Sequence, residues 1–181
     1  MPLAAILLML AGTALGFSQA LSPVQLLWIN LVSDVLPGIG LALEPARSDT
    51  LREPPPAVAD PILRSENYGP LASEAVILGA GAFASGLYGT ALYGANSPRT
   101  RTLMFSSLVL AQLLHAPASR SRTHSLFGPD RLPPNRTLNK IIAGSIGLQA
   151  AALVFPGVRK FLGVGTIGPM DALVALAGGT L

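Results

Sequence analysis

The sequence predicts an all-α, polytopic transmembrane helix bundle of about six hydrophobic segments, and three observations lead there. Half of the 181 residues are hydrophobic and only 12% are charged, whereas a soluble domain carries roughly 25% charge. The apolar residues gather into runs close to the length of about 20 that a spanning helix needs. The charges and prolines gather between those runs, as they do in membrane-protein loops. Cysteine is absent, which excludes disulfides and thiolate metal sites. The net charge of +3 would suggest nucleic acid in a soluble chain. Here the basic residues are better explained by topology, and no nucleic-acid partner is expected.

Taken in order, the runs are Leu3–Leu21, Val24–Leu43, Leu71–Ala95, Thr102–Ala118 and Leu138–Phe155, followed by the shorter Gly168–Leu181. The first and last are candidates for truncated spans. The first has no Lys or Arg before it, which argues against a signal peptide. Two loops are long: Glu44–Pro70, rich in proline and charge, and Ser119–Thr137, which contains several Arg. EPPPAVADP in the first cannot be helical through its prolines. If the first two runs form a hairpin, both long loops fall on one side, with eight basic residues (Arg47, Arg52, Arg64, Arg120, Arg122, Arg131, Arg136 and Lys140). The other side holds four, Arg99, Arg101, Arg159 and Lys160. The asymmetry puts loops 44–70 and 119–137 in the cytoplasm and makes residues 1–181 one membrane domain that starts on the cytoplasmic side. The third run carries Gly81, Ser85 and Gly89, with Ala82, Gly86 and Thr90 beside them. This small-residue spacing lets a neighbouring helix approach closely.

The second run holds the chemistry. QLLWINLVSDVLPGIGLALEP places an Asn, a Ser, an Asp, a Pro and two Gly in the middle of an apolar segment. Asn30 and Asp34 are four apart, so an α-helix sets them on one face with Ser33 at its edge. Asp34 is the only carboxylate in the middle of any run, and a charge there costs about 2.5–3.5 kcal/mol on insertion scales. Pro37 cannot donate a backbone hydrogen bond, so the carbonyl four positions earlier loses its helical partner. Gly38 and Gly40 favour unwinding at the same place. A carboxylate, an amide oxygen, a hydroxyl and a freed carbonyl make a hard-oxygen cluster suited to Ca²⁺, Mg²⁺, Mn²⁺ or alkali ions. A purely structural kink, with Asp34 paired to a neighbouring helix, is the competing reading.

At these residues the sequence resembles a known family. LSPVQLLWINLVSDVLPGIGLALEP is similar to the sixth transmembrane helix of the P-type cation-transporting ATPases, in the calcium-pump-like group. DTLREPPP, in the loop that follows, looks like that family's D-x-M-x-R-P-P. The likeness is specific over residues 18–56 and topological beyond them, running from late in the family's fifth helix to the start of its tenth. It implies that Asn30, Ser33 and Asp34 coordinate the transported cation. It also sets Gln112, in FSSLVLAQLLHA, where some calcium pumps use a Glu of the eighth helix. His115, three residues on, reads as a helix-end residue rather than a ligand. The fifth-helix polar positions of the family fall on Pro2 and Ala5. No DKTGT and no glycine-rich phosphate loop occurs in the chain, so no ATP site is expected in it and no ATP hydrolysis by it alone.

The resemblance therefore implies the C-terminal membrane domain of an ATP-driven cation transporter, with Ca²⁺ the favoured ion and the plasma (cytoplasmic) membrane the expected location. Its partners would be the bilayer and the remaining pump domains, on another chain or in upstream sequence. The alternatives are a pump-derived membrane protein that packs on a partner through the third run, or a non-functional fragment.

Overall fold

The computed structural model describes residues 2–17, 20–44, 67–120 and 134–180. All regular structure among them is helical. The elements are α1 (Pro2–Ala14), α2 (Pro23–Ile29), a π-helical turn (Asn30–Val35), α3 (Leu36–Ala42), α4 (Tyr68–Tyr93), α5 (Pro98–His115), α6 (Arg136–Val154), α7 (Pro156–Leu162) and α8 (Pro169–Gly179). α2, the π turn and α3 run on as one rod. That rod, α4 and α6 are long and apolar enough to cross a membrane, while α1 and α8 are shorter apolar helices. The loops expected at 44–70 and 119–137 lie largely outside the described residues.

α5 is the centre of the bundle. Twelve of its residues are buried, among them Thr100, Thr102, Ser106, Ser107 and Gln112. It packs on α4, α8, α6 and the π turn. A helix surrounded in this way can carry hydroxyls and amides inward only where they find partners. Ser107 Oγ sits 2.7 Å from Ser85 Oγ of α4 and 3.1 Å from the Ala175 carbonyl of α8. Thr102 Oγ1 takes the Gly165 N–H at 2.8 Å.

The small residues of α4 do what their spacing predicts. A Cβ on Gly86 would stand 2.6 Å from the Met104 side chain, and one on Gly89 would stand 3.0 Å from the Thr100 Cα. From the other side, a Cβ on Gly178 of α8 would meet Ser85 Oγ at 2.2 Å and the Gly81 carbonyl at 2.6 Å. α4, α5 and α8 are thus in backbone-close contact. The α4 surface assigned above to an outside partner is covered by α5 and α8.

Two ends of the bundle are fastened separately. At one end Asn135 Nδ2 donates to the Gly40 carbonyl at 2.9 Å and to Glu44 at 2.6 Å, and Arg120 pairs with Glu44. This joins the ends of α3 and α5 to the start of α6, which the Asn135 side chain also caps through the Leu138 N–H at 2.8 Å. At the opposite end buried Asp171 accepts from Arg99 at 2.7 Å, Tyr93 at 2.8 Å and the Gly168 N–H at 3.0 Å. The Arg99 guanidinium also lies 4.1 Å from the Tyr93 ring centroid.

Two expectations change. The run Leu3–Leu21 is helical only to Ala14, then turns at Gly16, whose φ of +85° is a conformation favoured by glycine. The second run does not unwind at Pro37. Its turn widens before the proline, and α3 then continues to Ala42.

Candidate cation site

The second span begins with a well-made start. Ser22 accepts from the Gln25 N–H at 3.2 Å, Gln25 Oε1 accepts from the Ser22 N–H at 3.0 Å, and Pro23 opens the helix. Gln25 Nε2 reaches on to the Leu162 carbonyl at 3.2 Å, and Trp28 Nε1 donates to Gln149 Oε1 at 2.8 Å. These bonds hold the first half of the rod in register against α6 and α7.

The π turn follows. The Leu36 N–H bonds to the Leu31 carbonyl, five residues back instead of four. One extra residue is thereby lodged in the turn that precedes Pro37, the residue that has no N–H to offer an ordinary ladder. Across the turn the three polar residues differ in burial: Ser33 is buried, Asp34 half-buried and Asn30 exposed.

Three of the four expected site residues converge. Ser33 Oγ lies 2.6 Å from Gln112 Oε1 and 2.7 Å from the Ile29 carbonyl. A hydroxyl has one proton, so it satisfies one of these acceptors, and three oxygens stand crowded round a single hydrogen. Asp34 joins Ser33 and Gln112 in the wall of a cleft of about 460 Å³, which Pro37, Gly38 and His115 also border. Asn30 does not line this cleft. Among the described residues no three of His, Cys, Asp or Glu gather as a metal cluster. The donor set is one carboxylate with neutral oxygens, which suits a hard cation and excludes a soft one.

His115 ends α5, as its position suggests, but it has a second setting. Its Nε2 stands 3.6 Å from Glu74 of α4. It also borders a neighbouring cleft of about 360 Å³ lined by Glu74, Leu78, Gly179 and Thr180. Neither Glu74 nor the Ile29 carbonyl carried a signal in the sequence. Glu74 lies near a run end, and a carbonyl is present at every position.

The sequence is similar to those of known proteins. The family model described as "Cation transporting ATPase, C-terminus" matches residues 18–181. A calcium-transporting ATPase type 2C member 2 of Mus musculus is 32% identical over 173 residues, 95% of this chain and 18% of the relative. The type 2C member 1 protein of Homo sapiens is 29% identical over 96% of this chain and 19% of its own length. A calcium-transporting ATPase of Bacillus subtilis is 26% identical over 94% of this chain and 19% of its own length. The chain spans about a fifth of the length of these relatives. Its apolar helices make it an integral membrane protein, and the chain belongs to the cation-transporting ATPases, matching the C-terminal region of that family.

Proposed function

We propose that this chain supplies part of the ion-binding site of an ATP-driven cation transporter, with Ca²⁺ as the carried ion. The reading rests on one observation above the others: Ser33 and Gln112, from separate helices, meet at 2.6 Å beside Asp34 in a widened turn. A carboxylate with hydroxyl, amide and carbonyl oxygens fits the flexible six-to-eight oxygen shell of Ca²⁺ better than the tight octahedron of Mg²⁺. The relatives, calcium-transporting ATPases by name, favour the same ion.

Asn30 completes the proposal from the outside. It is exposed, together with Leu27, Leu31 and Val35, on the outer side of the rod. A bare amide in acyl chains is costly, so this face is where the remaining helices of the pump pack, bringing further ligands toward Asp34. The phosphorylation chemistry belongs to those remaining parts. Ion affinity then switches when the rod tilts, provided that the two states bind the ion with different free energies. The plasma membrane is the proposed location.

The test is ⁴⁵Ca²⁺ binding to the chain in lipid nanodiscs. Asp34→Asn removes the charge and lowers affinity on the order of tenfold, 1.4 kcal/mol, or more. Gln112→Ala, which removes a neutral oxygen, has the smaller effect. Equal effects overturn the ranking, and no saturable binding to the unaltered chain overturns the site.

A further inference from the structure

The end of the bundle that carries α7 has a charge imbalance. Arg99, Arg101, Arg159 and Lys160 lie there with one carboxylate, Asp171, among the described residues. Asp171 is already engaged by Arg99, Tyr93 and Gly168. Arg101, Arg159 and Lys160 form no ion pair among the described residues, and the buried Nε of Arg101 has no acceptor. Capping does not explain the two α7 cations. The carbonyls of Arg159 and Lys160 already receive the Val164 and Gly163 N–H groups at 3.1 and 3.2 Å, so the backbone closes that turn by itself.

The same segment exposes apolar bulk. Phe155 is 59% exposed and Phe161 70%, while Leu162 is buried and its carbonyl is held by Gln25. Gly165 fastens the following turn to Thr102, beside Arg101. α7 is thus a short, firmly seated element at the end of two membrane-directed helices, α6 and α8. It presents unpaired cations together with bare aromatic rings. Positive charge with aromatic side chains at such a boundary is the pattern of an interfacial lipid contact.

We propose that α7 and the start of α5 form a docking surface for the phosphate head groups of anionic phospholipid. Arg159, Lys160 and Arg101 take the phosphates, and Phe155 and Phe161 sit among the acyl chains. The proposal is independent of the cation site.

Native mass spectrometry of the chain from dodecyl maltoside, with phosphatidylglycerol or phosphatidylcholine of identical acyl chains, tests it. The unaltered chain retains phosphatidylglycerol preferentially. The double variant R159Q/K160Q loses about thirtyfold in phosphatidylglycerol affinity, at roughly 1 kcal/mol per basic residue, and keeps its phosphatidylcholine affinity. The charge-conserving R159K/K160R restores the preference, and F155A/F161A weakens both lipids alike. A preference that survives R159Q/K160Q overturns the proposal. So does displacement of phosphatidylglycerol by millimolar inorganic phosphate, which would mark a soluble-anion site, or an equal loss of both lipids in R159Q/K160Q.

Discussion

Gly178→Ala asks how closely α8 must approach. The added Cβ would stand 2.2 Å from Ser85 Oγ, 2.6 Å from the Gly81 carbonyl and 3.1 Å from Ser107 Oγ. The Ser85 hydroxyl can rotate away, but the Gly81 carbonyl is backbone inside α4 and cannot move alone. α8 must therefore shift outward, and the hydroxyls of Ser85 and Ser107 lose their acceptors at Val174 and Ala175. Overpacking of this kind costs about 1–3 kcal/mol, and interhelical hydrogen bonds in membranes average about 0.6 kcal/mol each, which gives a loss of about 2–4 kcal/mol. Gly144→Ala is the control, because nothing lies within 4 Å of its added Cβ, and a helical Gly→Ala there stabilises by about 0.5–1 kcal/mol. Unfolding by SDS titration from mixed micelles, followed by circular dichroism, reads both variants. Gly178→Ala as stable as the unaltered chain would refute the close packing of α4, α5 and α8.

Asn135→Ala removes a helix cap, worth about 1 kcal/mol, and strands the Gly40 carbonyl, which costs about 1–3 kcal/mol when buried. The same SDS titration should show a loss of about 2–4 kcal/mol, and a loss below 0.5 kcal/mol would mean that the α3–α6 fastening is not formed. Trp28 is the single tryptophan, so Gln149→Leu, which deletes its acceptor, shifts the chain's emission to shorter wavelength; an unchanged spectrum would place the indole elsewhere. The purified chain is expected to hydrolyse no ATP. Phosphate release that persists in Asp34→Ala would contradict the assignment of phosphorylation to other parts of the pump.

The bundle was legible because lipid imposes run lengths, and the small residues of α4 announced a close neighbour. Which neighbour was hidden: spacing on one helix says that something approaches, not that α5 and α8 both do. The motif named Ser33 and Asp34 and the family resemblance named Gln112, and these three line one cleft. Asn30, the fourth residue named, is exposed and does not line that cleft. Gly16 ends α1 early, a stop that the apolar count of Leu3–Leu21 outweighed. α7 escaped notice because seven residues give no periodicity, although Pro156 and Gly163 mark its two ends in the usual way. The links from Asn135 to Gly40, and from Asp171 to Arg99 and Tyr93, join positions far apart in the chain and leave no local trace.

The surplus residue of the Asn30–Val35 turn sets the phase of everything after it. Delete one residue there and an ordinary helix could form, yet each later side chain would swing round by about 100°. Gly40 would then turn its smooth side from Leu138, and its carbonyl from Asn135. The rod is therefore two correctly aimed halves joined by an offset, and straightening the joint would cost the aim of one of them.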